Sequence, residues 1–218
     1  MVKPRSKIVA SAKRIVSIAD YFRAWRLLGE RERLVWDLIM FMGLRKCEVF
    51  ALQRKHVGSN LVKIEQGAYR GVIVGPKTYG SKRVVGIIPE IGDRLQRYMQ
   101  GLVDQSADGW LFPSSTLRTS IDPDNLRKEH ITPKLKDANL KWISFQIIRT
   151  SHTTHNHKIG ADPATMAKQQ GHGIGVHADV YYQPDPETLI RESSKLYGEF
   201  QAERIRSLGR QGGAELVI

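Results

Sequence analysis

The segment Gly43-Leu44-Arg45-Lys46-Cys47-Glu48 stands between two stretches with helical periodicity. Apolar residues recur at helical spacing before it, and Gly43 is the residue type that commonly ends a helix. Arg45 and Glu48 are three positions apart, so a helix that restarts here brings the two side chains within pairing distance. An isolated arginine is usually a surface or salt-bridged residue. The segment therefore becomes informative only together with the residues that follow it.

Four more residues with functional side chains follow in a fixed order. Lys77 lies in Gly75-Pro76-Lys77-Thr78, between stretches rich in β-branched residues. Arg149 ends the sequence Gln146-Ile147-Ile148-Arg149, and Gly160 lies eleven positions beyond it. His172 comes twelve residues later, directly after Gly171, and Tyr181 lies nine positions beyond His172. Each element is weak evidence by itself, whereas five in one order form a specific pattern.

This pattern resembles the tyrosine recombinases, the phage-integrase family of site-specific DNA recombinases, from about residue 15 to residue 186. The resemblance implies an α+β fold that is mostly helical, with a small three-stranded antiparallel sheet. It also implies DNA strand cleavage and rejoining through a 3′-phosphotyrosyl intermediate, which needs no ATP. The catalytic residues it implies are Arg45, Lys77, Arg149, His172 and Tyr181.

The residue types suit attack on a backbone phosphate. Arginine forks are always charged and match the geometry of phosphate oxygens, which gain negative charge during the reaction. By resemblance, Lys77 protonates the departing 5′ oxygen, His172 contacts the phosphate, Tyr181 is the nucleophile and Glu48 supports the site. Because side-chain cations concentrate positive charge at the phosphate, we expect no metal and no other cofactor.

Two positions complicate this assignment. Gln146 stands where the family usually has a histidine; glutamine can donate a hydrogen bond but cannot exchange a proton. We expect it to support catalysis more weakly. Tyr182 adjoins the predicted nucleophile, but neighbouring residues on a helix point about 100° apart. Only one of the two tyrosines can face the phosphate, and the spacing from His172 selects Tyr181.

Charge favours a polyanionic partner, because each phosphate that the protein neutralises releases condensed counterions. Lysine and arginine number 34 against 22 acidic residues, a net charge of +12. We expect double-stranded DNA as the partner and, by resemblance, four protomers on two DNA partners. Lys82, Arg83 and His152 are predicted DNA contacts, with the protein core as the alternative place for His152.

Local patterns predict the elements. We expect helices at 15–28, 30–42 and 46–53, a meander of strands at 60–66, 71–74 and 82–88, and further helices after Ile91, Asp122, Ser144 and Asp162. Pro133 is predicted to kink or divide its helix. A terminal helix is expected from Glu187 to Arg206. This organisation predicts a basic arm at 1–14, a catalytic domain at 15–186 and a helix with a tail at 187–218. The family's separate amino-terminal DNA-clamping domain is expected to be absent.

The cellular setting follows from composition. Cys47 is the single cysteine, so no internal disulfide is possible and a reducing compartment is indicated. No apolar run approaches the roughly 20 residues of a membrane helix, and the amino terminus lacks the apolar stretch of a signal peptide. We expect a cytoplasmic, nucleoid-associated protein without membrane contact.

Other functions remain as alternatives. A type IB topoisomerase uses nearly the same residues but relaxes DNA without exchanging partners, and Gln146 lends support to an inactive DNA-binding remnant. The stretch Gly71–Thr78 approaches a nucleotide-binding loop but has Pro76 where glycine is required, which removes a donor from the phosphate cradle. A histidine cluster suggests a metal, although no acidic or cysteine ligand accompanies it at a recognisable spacing. Its members are His152, His155 and His157.

Overall fold

The computed structural model describes residues 14–69, 72–75, 82–171 and 186–212. Its longer helices are α1 (Ile18–Leu27), α2 (Glu30–Met40), α4 (Pro89–Gln100), α7 (Phe145–Lys158), α8 (Pro163–Gln170) and α9 (Pro186–Gly212). Its short helices are α3 (Lys46–Val49), α5 (Pro123–Asn125) and α6 (Thr132–Lys136). Its strands are β1 (Leu61–Ile64), β2 (Gly67–Tyr69), β3 (Val72–Val74) and β4 (Arg83–Gly86).

Helix α2 lies at the centre of the core. Its residues from Leu34 to Met40 are all buried, which is the pattern of a helix surrounded by other elements. Aromatic rings join its end to α1 and α9: Phe200 packs edge-to-face on Tyr21 and Phe41, with ring centroids 5.3 and 5.2 Å apart. Such edge-to-face pairs add to the free energy gained by burying the rings. The core therefore fixes the position of α2. The carboxyl end of α2 leads into the segment that begins with Gly43.

A buried carboxylate ties α1 and α4 to α2. Asp37 accepts hydrogen bonds from the Tyr21 hydroxyl at 2.7 Å, from Trp25 Nε1 at 3.1 Å and from Arg94 Nη1 at 2.6 Å. Burial raises the pKa of Asp37, and Arg94 and the hydrogen bonds oppose that shift. Because a buried charge is costly unless it is paired, this network specifies how the three helices meet.

The sheet differs from the predicted three-stranded meander. The mostly helical α+β class is confirmed, but the described strands form two separate antiparallel pairs, β1 with β4 and β2 with β3. The chain leaves β1 and makes the short hairpin β2–β3 before returning to β4. Gly67-Ala68-Tyr69 carries no β-branched residue, so its sequence did not indicate a strand.

Several helices begin or end at residues whose side chain or backbone caps the helix. Asp122 and Asp162 accept hydrogen bonds from the first turns of α5 and α8, and Ser144 Oγ accepts one from Ile147 N at the start of α7. These three predicted starts are confirmed. Gly43 and Gly160 have the positive φ expected after a helix.

Two predicted spans were wrong, the first of them for a non-local reason. Helix α3 ends at Val49 instead of near Gln53, because Gln53 forms a β-bridge with Trp110 and the carbonyl of Leu52 accepts from Leu111 N. The terminal helix α9 extends to Gly212, beyond the predicted end at Arg206. Pro133 lies in the first turn of α6, directly after a π-helical stretch, Leu126–Ile131, and thus divides the helix as predicted. Among the described helices, none is long and apolar enough to cross a membrane.

Candidate active site

Three arginines from distant parts of the described chain meet at the carboxyl end of α8. Arg83 Nε donates to the carbonyl of Gln169, Arg149 Nη2 to that of Gln170 and Arg45 Nη2 to that of Gly171, each at 2.8 Å. Carbonyls at the end of a helix lack partners within the helix and carry the negative end of its dipole. The helix end therefore supplies three successive acceptors that hold three cations side by side.

Gly171 allows this approach. Its φ of 64° lies in the left-handed region, where glycine is favoured. A Cβ at this position would lie 2.7 Å from Arg83 Nη1 and 3.0 Å from Arg45 Nη1. Glycine is thus required at position 171 both by the left-handed backbone and by the space that the two guanidinium groups occupy.

Glu48 links two of the arginines from the other side. It accepts from Arg45 N at 2.7 Å and from Arg45 Nη1 at 2.9 Å, and both of its oxygens accept from Arg83 at 2.8 Å. Burial opposes ionisation of this carboxyl, but the hydrogen bonds and charge of Arg83, followed by those of Arg45, hold its pKa below the ordinary value. Glu48 is therefore a carboxylate that fixes both guanidinium groups.

Arg149 is buried within the cluster. Besides Gln170, it donates to the carbonyl of Gly43, the residue whose left-handed turn precedes Arg45. Burial lowers the pKa of Arg149 to about 10, with the Arg45 charge as the next cause. At neutral pH the side chain still carries its charge. A cation held in a partly desolvated place interacts more strongly with an anion than one in open water.

The structure brings together Arg45, Arg149 and Glu48 from the predicted site. Gln146 is exposed on α7, one turn before Arg149, and Lys82 is exposed beside β4. Lys77, His172 and Tyr181 lie outside the described residues, so their predicted roles stay predictions. Along the chain, His172 directly follows Gly171.

His152 requires a correction. Its side chain is fully buried and its Nδ1 lies 2.7 Å from the carbonyl of Met40, so it lines the core instead of facing DNA. His155 is also buried, and its Nε2 bonds the carbonyl of Val16. In the part of the chain that the structure describes, no group of three or more His, Cys, Asp or Glu side chains could hold a metal ion.

Arg83 also differs from its predicted place on the DNA-facing surface. Its side chain is only 8% exposed, against 35% for Arg45. Alternation along β4 explains this position, because Val85, two residues on, is fully buried while Val84 between them is exposed. The sequence Arg83-Val84-Val85 puts an apolar residue on each face of the strand, so it did not indicate which face is covered.

Comparison with solved structures finds similar proteins. No protein-family model matches the sequence, and a search of curated proteins also found no match. A Tn1549 transposon integrase variant, solved in complex with transposon right end DNA, superposes with a TM-score of 0.65 at 15% identity. The XerA recombinase gives 0.61 at 17% identity, and the integrase from mycobacterium phage Brujita gives 0.61 at 15% identity. This chain has the tyrosine-recombinase catalytic fold.

The matches cover most of this chain but less of each neighbour. They span 87, 88 and 85% of this chain and 68, 66 and 58% of the Tn1549, XerA and Brujita chains, respectively. At these identities the likeness concerns the fold, which confirms the architecture expected from the order of the functional residues.

Proposed function

We propose that this chain is the catalytic domain of a site-specific tyrosine recombinase that cleaves and rejoins duplex DNA. One observation carries the proposal: Arg45 and Arg149, 104 positions apart in sequence, donate to the adjacent carbonyls of Gly171 and Gln170. The next residue is His172, the predicted phosphate contact. A pair of clustered cations on a fold shared with integrases supports a phosphate-binding site.

The two arginines suit the charge that the reaction develops. Attack on a phosphodiester places additional negative charge on the two non-bridging oxygens. Arg45 is partly exposed and can reach a bound phosphate, while Arg149 adds a desolvated positive charge behind it. Donors that are already in place need little reorganisation in the transition state, and losing one such donor costs on the order of 3 kcal/mol.

The other predicted site residues carry out the bond and proton transfers of phosphodiester cleavage. The Tyr181 phenol gives its proton to a solvent water molecule, and its oxygen forms a bond to phosphorus. The bond from phosphorus to the 5′ oxygen breaks, and Lys77 protonates that oxygen. His172 contacts the phosphate, and Gln146 offers a neutral donor. Attack by a 5′ hydroxyl of another strand reverses these steps, so no external energy source enters the cycle.

Double-stranded DNA is the proposed partner, with four protomers in the assembly that exchanges strands. The net charge of +12 supports contact with phosphate backbones, and exposed Lys82 is a proposed contact next to the site. The Tn1549 integrase structures contain DNA. A protein with this activity works where the chromosome is, which in a bacterial cell is the nucleoid in the cytoplasm.

Covalent trapping tests this function. Short DNA duplexes of random sequence, each with one nick, let the cleaved fragment diffuse away and leave the protein attached to DNA. We expect adducts that survive SDS, form in EDTA and are lost in Arg149→Ala. DNA binding without any adduct would instead identify an inactive remnant. Relaxation of supercoiled plasmid without recombinant products would identify a topoisomerase.

A further inference from the structure

Arg83 makes the most complete contact with Glu48. Its Nη1 and Nη2 each donate to one carboxylate oxygen at 2.8 Å, a two-pronged pairing with both side chains 8% exposed. Such bidentate pairs are among the strongest hydrogen-bonded ion pairs in proteins. Arg45 pairs its guanidinium with the same carboxylate through Nη1.

Charge balance shows what this arrangement does for Arg45. Glu48 has one negative charge and lies between two guanidinium groups. If Arg83 were absent, Arg45 would be the charged partner of a buried carboxylate, and much of its positive charge would be cancelled locally. With Arg83 in place, Glu48 is neutralised from the inner side and Arg45 keeps a net positive charge for a ligand.

We propose that Arg83 is a positioning residue, which neutralises Glu48 and so keeps Arg45 charged and aimed for a phosphate. The inference rests on the proposed recombinase function. Arg83 acts through Glu48 and does not contact DNA, since its guanidinium lies on the inner face between Glu48 and the carbonyl of Gln169. The ladder between β4 and β1 holds the backbone of Arg83 in register, with Arg83 opposite Ile64.

Single-turnover adduct formation on the nicked random duplexes tests this role. We expect Arg83→Met, which keeps the length but removes the charge, to lower the rate at saturating DNA at least tenfold while DNA affinity changes less than threefold. Arg83→Lys, which restores the charge without the fork, should recover part of the rate. Lys63→Met on β1 removes one exposed positive charge from the same sheet and should keep the wild-type rate.

A second substitution separates charge balance from simple loss of folding. In the Arg83→Met background, Glu48→Gln removes the uncompensated carboxylate and should raise the adduct rate at least threefold over Arg83→Met alone. A structural defect would not be relieved by removing another pair of hydrogen bonds. An unchanged rate in folded Arg83→Met, or no recovery in the double variant, would overturn the proposal.

Binding of inorganic phosphate separates this proposal from the recombinase function. We expect phosphate to raise the melting temperature of the wild-type protein and to raise it less in Arg83→Met. If the wild type forms no adducts but shows this difference, the recombinase proposal fails and the role of Arg83 in anion binding stands. If the wild type shows neither adducts nor stabilisation by phosphate, both proposals are overturned.

Discussion

At the scale of single residues, two glycines with the same backbone conformation differ in their surroundings. Gly171 and Gly160 follow helices with φ values of 64° and 69°. A Cβ on Gly171 would collide with Arg83 and Arg45, whereas a Cβ on Gly160 would meet no atom within 4 Å. Backbone strain and damage to the arginine cluster can therefore be measured separately.

Alanine at each glycine makes this comparison. Both Gly171→Ala and Gly160→Ala should lose roughly 1 kcal/mol of stability, because a side chain in the left-handed region is strained. Only Gly171→Ala should also lower the rate of adduct formation, by on the order of a hundredfold, since it displaces the preorganised guanidinium donors. Urea denaturation and single-turnover rates give the two quantities. Equal rates in both variants would mean that the approach of the arginines to Gly171 does not matter for catalysis.

The arginines also show what residue patterns can predict. The order and spacing of Arg45 and Arg149 indicated their convergence through the resemblance to the tyrosine recombinases, whose catalytic fold this chain has. The pairing of Arg45 with Glu48 was also predictable, since it is local. The place of Arg83 was not, because its contact with Glu48 crosses 35 positions and depends on which face of β4 is covered. His152 was misplaced for the same reason, as its buried partner belongs to α2.

At the scale of elements, α8 supports the arginine cluster. Asp162 caps its first turn by accepting from Thr165 N at 2.7 Å. Gln169 donates to Ser193 Oγ and so joins the helix to α9. Its last carbonyls then hold Arg83 and Arg149. A change at either end of this short helix should therefore be transmitted to the site.

Removing the cap tests this transmission. Asp162→Ala should cost about 1 kcal/mol of stability and lower the adduct rate several-fold, because the acceptor carbonyls become less ordered. Asp122→Ala removes an equivalent cap from α5, which carries none of the arginines, and should lower stability with little change in rate. A wild-type rate in Asp162→Ala would show that α8 does not depend on its cap to hold the cluster.

Packing of α7 against the segment before α1 should make stability depend on pH. Burial lowers the pKa of His155, with the charge of Lys158 in the same direction, while its bond to the carbonyl of Val16 opposes the shift. The unfolded chain therefore binds a proton first, so this contribution to stability is complete above pH 6.5 and declines as pH falls below it. His56 shifts in the same direction. Replacing His155 by Gln should flatten the fall in melting temperature below pH 6.5, and an identical fall in the variant would contradict this assignment.

Elements decided by local chemistry were the predictable part of the fold. Caps at Asp122, Ser144 and Asp162 act within one turn, so the sequence located them. Strand pairing and the end of α3 depend on contacts between distant segments, for example Gln53 with Trp110. Those contacts became visible only in the folded chain.

At the scale of the whole molecule, the core and the site are continuous. Helix α2 is surrounded by the core and leads into Gly43, whose carbonyl accepts from Arg149. Helix α7, which carries Arg149, packs on α2, and α8 packs on α9. The fold thus brings distant charges together, and we propose that these charges serve attack by Tyr181.

The most direct measurement compares covalent adducts of the wild type, Tyr181→Phe and Tyr182→Phe on the nicked random duplexes in EDTA. Phenylalanine keeps the ring and removes the attacking oxygen, so each variant tests one nucleophile. We predict adducts in the wild type and in Tyr182→Phe and none in Tyr181→Phe. Adducts that persist in Tyr181→Phe and vanish in Tyr182→Phe would contradict the assignment, and a wild type that forms none under these conditions would contradict the proposed mechanism itself.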